Sequence, residues 1–188
     1  MINTKITQNA KWIIGCKIIQ SLIQLVVGML TARYLGPANY GLIDYAASIV
    51  AFAIPVMQLG LQSTLVQEYV TFPEKEGEIL GTHLTMNLVA ALACMIGVVS
   101  YAAASNPGET ATVMVCALYS VSLFFQAIEM LQYWFQAKLE SKVTAGATLV
   151  AYILSSAYKV FLLVTNKGVI YFAGVTSLEY VCFGVLML

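Results

Sequence analysis

The stretch KWIIGCKIIQSLIQLVVGMLTARYLGP, residues 11–37, decides the fold. It stays mostly apolar from Lys11 to Tyr34, long enough to cross a bilayer core about 30 Å thick, which needs about 20 residues, and Leu35-Gly36-Pro37 then closes it with a turn. Backbone groups in lipid must find their partners inside the segment, so the run reads as a membrane-spanning helix. The same grammar recurs along the chain. Apolar runs at approximately 11–34, 42–66, 79–104, 111–137, 143–164 and 168–188 are separated by short connections, among them Phe72-Pro73-Glu74 and Ser105-Asn106-Pro107-Gly108. A membrane barrel would show alternating segments of about ten residues instead. The expected fold is therefore an all-α, polytopic bundle of six transmembrane helices, with chain neighbours antiparallel.

Composition agrees. Of 188 residues 60% are apolar and 10% charged, against about 25% charged in a soluble domain, and the mean hydropathy is +0.84. Nine Lys and Arg balance nine Asp and Glu, so no basic field exists to hold nucleic acid. Cys16, Cys94, Cys116 and Cys182 lie far apart inside apolar runs and read as small packing residues, encoding neither a disulfide framework nor a metal knuckle.

The basic residues set an orientation. Lys5, Lys11, Lys75, Lys138 and Lys142 fall on one side of the alternating spans, and only Arg33 and Lys167 on the other, which places the N-terminus in the cytoplasm. Lys17 interrupts the first apolar run and no Ala-x-Ala site precedes the second, so the first span is expected to stay attached. The last run reaches Leu188 with no basic flank, as expected of the first part of something longer.

Polar groups at membrane depth are costly and usually face the bundle interior. Glu179 lies near the middle of the sixth span and is the deepest charge; it either locks helices together or works in a cavity. On the fourth span Tyr119, Ser122, Gln126, Glu129, Tyr133 and Gln136 recur every three or four residues, a stripe for a wet cavity or a polar seam. Two further faces follow the pattern, with Lys17, Ser21, Gln24, Gly28 and Thr31 on the first span and Thr144, Thr148, Tyr152, Ser155 and Lys159 on the fifth. Lys17 and Lys159 are close enough to the membrane edges to snorkel to water. The lone His83, one turn before Asn87, cannot make a metal site and fits a hydrogen-bonded interface or a proton relay. Pro55 should kink the second span, as a hinge or a packing bend, unless neighbours re-satisfy the freed carbonyl.

The chain carries no nucleophile elbow, no His-Glu-x-x-His, no phosphate-binding glycine loop and no filter-like loop, so neither catalysis nor a channel is expected, and no cofactor or metal. Movement of a solute or lipid through the bundle remains.

Arg33-Tyr34-Leu35-Gly36-Pro37-Ala38-Asn39-Tyr40-Gly41 resembles the first hairpin of the polysaccharide and O-antigen flippases of the multidrug/oligosaccharidyl-lipid/polysaccharide exporter superfamily. Leu59-Gly60-Leu61 followed by Gln67-Glu68, and Tyr133-Trp134-Phe135-Gln136-Ala137 with Lys138 and Lys142, extend the resemblance over most of the chain. It implies a translocase that passes undecaprenyl-diphosphate-linked oligosaccharide across the bacterial inner membrane, alongside a polysaccharide polymerase and a chain-length regulator. It also implies two six-helix lobes around a central cavity, of which residues 1–188 match the N-terminal one and the C-terminal lobe is missing.

Depth and face, rather than the family motifs, nominate the site. Lys17, Gln24, Arg33, Gln126, Tyr152 and Lys159 are the candidate substrate contacts, with the three bases as partners for diphosphate or acidic sugars. Glu129 and Glu179 are the candidates for coupling to protons or sodium. Two other readings stay open at this point: a multidrug or small-solute antiporter, which needs acidic and aromatic walls, and a non-transporting scaffold for polysaccharide assembly, whose polar faces would be dry seams.

Overall fold

The computed structural model describes residues 2–58, 60–138 and 141–187, without the side chains of residues 2–9 and 61–63. All regular structure among the described residues is helical. The elements are α1 (Ile2–Gln58), α2 (Leu61–Thr71), a 3-10 turn (Pro73–Lys75), α3 (Glu76–Ser105), α4 (Thr110–Gln126), a second 3-10 turn (Ala127–Met130), α5 (Leu131–Ala137), α6 (Ser141–Val164), α7 (Val169–Ala173) and α8 (Val175–Met187). Among the described residues five stretches are long and apolar enough to cross a membrane, the first of them Ala10–Gln58 with 49 residues.

That first stretch carries two of the six expected spans. Gly36 breaks it at φ 70°, ψ 169°, a conformation open only to glycine, and Pro37 enforces the break because its ring disfavours a helical residue before it. A straight helix would hold Gln20 and Ala47 about 40 Å apart, yet both line one cavity, so the chain doubles back into a first arm, residues 2–35, and a second arm, residues 37–58. Helical structure thus runs almost through the turn instead of pausing in a loop between 34 and 42.

Three other expected boundaries shift for local reasons. The second span ends at Gln58 rather than residue 66, because Gly60 adopts a left-handed φ of 68° and starts the separate helix α2. Pro55 lies inside the second arm without a non-helical residue beside it, so the interruption comes at Gly60 instead of at the proline. The fourth span is helix, 3-10 turn, helix, and the sixth is divided at Gly174. Leu59, in the motif quoted above, and Leu188 lie outside the described residues.

Small side chains make the dry part of the bundle. Ala46, Val50, Ala53 and Met57 of the second arm bury against Ala91, Val98 and Ala102 of α3 and against Val115, Cys116 and Leu123 of α4. Residues of this size let helix backbones approach closely, which replaces the hydrophobic driving force that lipid cannot supply. The four cysteines are free thiols, and Cys16 and Cys116 are buried, in keeping with a packing role.

The two ends of the bundle are tied separately. At the Gly36 end, the Tyr34 hydroxyl donates to Lys167 O at 3.3 Å, and Asn106 Nδ2 donates to Tyr45 Oη at 3.0 Å. At the opposite end, Leu65, Tyr69 and Met130 form a cluster backed by Ile79 and Trp134. There Glu68 Oε2 meets His83 Nε2 at 2.9 Å, and Glu76 Oε2 accepts from Trp134 Nε1 at 2.7 Å and from Lys138 Nζ at 3.2 Å. His83 is thus a hydrogen-bonded interface residue joining α2 to α3.

Candidate functional site

One hollow, of about 600 Å³, does not hold the polar residues. It is an apolar groove between the second arm and α3, walled by Ile49, Phe52, Val56 and Val98. Phe52 is 81% exposed, as suits a side chain facing lipid.

The polar residues converge elsewhere. A cavity of about 420 Å³ opens between both arms of α1, α4, α6 and α8. The first arm contributes Gln20, Gln24, Gly28 and Thr31, the second Tyr40 and Asp44, and α4 Tyr119. Tyr152 and Lys159 come from α6, Phe172 from α7, and Thr176 and Glu179 from α8. The first arm delivers its residues at three- or four-residue intervals, and Tyr152 and Lys159 of α6 are two turns apart, spacings that keep them on one face. The Ser155 hydroxyl, fully buried, lies 3.0 Å from Tyr152 O and 3.2 Å from Glu179 Oε2 and can donate to either. Lys159 and Glu179 attract one another across the cavity without a close ion pair. The charge of the lining is mixed, with Asp44 and Glu179 against Lys159.

A second chamber of about 270 Å³ lies nearer the end that carries Ser141. Lys17, Gln20, Glu129, Gln132, Gln136, Thr144 and Thr148 line it. Gln20 belongs to both hollows and so stands at the junction between them.

The structure therefore distributes the expected site residues. It brings Gln24, Tyr152, Lys159 and Glu179 into the main cavity and Lys17 and Glu129 into the second chamber. Gln126 lines a narrow cleft with Asn87 and Glu129. Arg33 is exposed beside the Gly36 turn and belongs to neither lining, so Lys17, Arg33 and Lys159 do not form one cationic cluster.

Two stripes are corrected in register. On the first arm Gln20 faces the cavity, whereas Ser21 falls in a shallow outer groove with Ile14, Ile18 and Leu22. On the fourth span the stripe is split: Tyr119 reaches the main cavity, Ser122 is buried and donates to Tyr119 O at 2.6 Å, and Gln136 lines the second chamber. The 3-10 turn at Ala127–Met130 changes the helical phase between Ser122 and Gln136, whereas Tyr119 and Ser122 part before it, within α4. Asp44, Tyr40 and Thr176 were not singled out from the sequence. Asp44 stood at the edge of its run, and only the doubling back at Gly36 puts it opposite Lys159.

A family model described as polysaccharide biosynthesis protein matches residues 6–188. The chain belongs to that family. The match spans both arms and every helix that lines the two hollows, so the polysaccharide biosynthesis family is defined over the whole polar interior. No curated protein and no solved structure matches the chain. A multi-pass membrane protein of polysaccharide biosynthesis with a polar cavity inside an apolar bundle is the frame for its function.

Proposed function

We propose that this chain is one lobe of a flippase that moves lipid-linked oligosaccharide, carried on undecaprenyl diphosphate, across the bacterial inner membrane by alternating access. The observation that carries the reading is the 420 Å³ polar cavity enclosed by helices with apolar outer faces, in a member of the polysaccharide biosynthesis family. A lipid-anchored sugar needs such a surface: hydrophilic space for the head, lipid-facing helices beside it for the tail. Tyr40, Tyr119 and Tyr152 offer ring faces to the C–H side of a sugar, and Gln20, Gln24, Asp44 and Glu179 offer donors and acceptors to its hydroxyls. Among the described residues Lys159 is the one cation in that lining, and it is the partner for a phosphate, with Lys17 at the second chamber.

The N-terminus lies in the cytoplasm in this reading, which puts the Lys17 chamber on the side where the substrate is made. The protein acts as a carrier without catalysis, in the company of the polymerase that uses its product. Replacing Lys159 by Ala and Glu179 by Gln, separately, in the complete protein tests the proposal. We expect surface polysaccharide to fall at least tenfold in each; wild-type output from both removes it.

A second reading draws on the acidic and aromatic part of the same lining. Asp44 and Glu179 beside Tyr40, Tyr119, Tyr152 and Phe172 also suit an organic cation. Competition separates the two: a cationic dye that is itself exported, with polysaccharide unchanged, favours the exporter. Cysteine labelling along α4 addresses the scaffold reading, for which position 119 should be dry.

A further inference from the structure

Glu129 stands in two hollows. Besides the second chamber it lines a cleft of about 10 Å³ together with Asn87 and Gln126, closed by Met57, Met130 and Tyr133. That space suits one water molecule or one small ion. Asn87 is 2% and Gln126 7% exposed, yet Asn87 Oδ1 and Gln126 Oε1 are buried without any hydrogen-bond partner.

Their neighbours fix which way the two amides point. Asn87 Nδ2 donates to Met130 Sδ, and a thioether only accepts, so the nitrogen belongs on that side and the oxygen on the other. The Gln126 amide shares the cleft with the Glu129 carboxyl, which when ionised also only accepts, so its nitrogen is the group that suits that side. Both carbonyl oxygens are thereby left desolvated with nothing to accept from, an arrangement that proteins avoid unless a water or ion fills the gap. Gln58 and Gln132 also line the cleft, but the atoms there that lack a partner are of one kind, two amide oxygens, and they share with a carboxylate room for one small particle. Hard oxygen ligands of this kind take a hard cation, and a single carboxylate balances a single positive charge. The helix is also interrupted here, because Gln126 ends α4 and Glu129 lies in the 3-10 turn that follows.

We propose that Asn87, Gln126 and Glu129 form a binding site for one small monovalent cation of sodium's size, in the cleft between the second arm, α3 and the broken fourth span. Glu129 connects this cleft to the second chamber, where the charge of Lys17 also acts on it. A cation in the cleft takes over the carboxylate and leaves Lys17 to an anionic group in the chamber. That consequence rests on the flippase reading; the binding itself does not.

The test is saturable binding of radioactive sodium to the full chain in detergent, with no lipid-linked sugar present, so its failure leaves the translocation reading untouched. One ion per chain is expected, displaced by unlabelled sodium and not by choline. Asn87→Ala and Glu129→Gln should each weaken binding at least tenfold, and Glu179→Gln in the main cavity should leave it within twofold. Gln126→Glu keeps the shape of the cleft and adds a carboxylate, so calcium should then displace sodium, which keeps the test alive if the other variants fail to fold. No saturable binding in the wild-type protein, unchanged binding in both cleft variants, or loss in Glu179→Gln alone overturns the proposal.

Discussion

The second arm of α1 is dry on one side and wet on the other. Towards α3 and α4 it buries Ala46, Val50, Ala53 and Met57 against alanine, valine and cysteine. Towards the first arm, α6 and α8 it presents Tyr40 and Asp44 to a cavity of about 420 Å³. One helix thus serves as packing surface and as cavity wall. Polarity does not draw the line by itself, since Ser120 and Ser122 are buried on α4 and satisfied by backbone oxygens three residues back, at 2.8 and 2.6 Å. Short hydroxyls that turn onto their own helix belong to a dry contact, whereas ionised carboxylates only accept, cannot do so and need space or a donor from elsewhere. The first arm carries the contrast furthest: 11% of its most apolar window is buried, against 44% for Thr110–Ala137.

Overpacking the dry side should have the largest effect. Ala102→Leu forces a larger side chain between Ala46, Val115 and Cys116, and we expect a loss of about 3 kcal/mol in detergent unfolding. An unchanged midpoint would mean that this contact is loose. The turn that creates the wet side comes next. Gly36→Ala places a side chain at φ 70° and should cost about 2 kcal/mol, with the two arms failing to cross-link through cysteines at 24 and 44. At the far end His83→Ala removes the partner of Glu68, whose side chain is 38% exposed, so about 1 kcal/mol is expected, read from the same unfolding curves. Lys138→Met breaks an exposed ion pair with Glu76 and should change stability by less than about 0.5 kcal/mol. Smallest in stability but not in function is Gln24→Leu, which should leave unfolding unaltered and reduce surface polysaccharide in the complete protein. A cavity wall gives that pattern; a seam residue would lose stability first.

Much of the fold was legible. Runs of apolar residues bounded by Gly36-Pro37, Phe72-Pro73 and Pro107-Gly108 place the crossings, because hydrocarbon thickness and glycine or proline geometry act locally. Of the candidate site, residue types and some faces were legible: Gln24, Tyr152, Lys159 and Glu179 line one cavity. Arg33 did not join them, since a base next to the turn can extend into the surroundings. Asp44 and Gln20 were missed, the first because its partners lie on other helices and the second because Ser21 offered an equally polar residue one position on.

The sequence by itself determined that the chain is a helical, multi-pass membrane protein and which helix faces are polar, because backbone hydrogen bonding and the 3.6-residue repeat are properties of a segment alone. Tertiary structure decided which polar faces meet: the doubling back at Gly36, the phase change at Ala127–Met130, and the separation of Lys17 from Lys159 into two hollows joined at Gln20. The physical reason is that a helix face finds its function only when another helix stands opposite, and the closeness of that approach is set by the small side chains of the neighbouring dry seam.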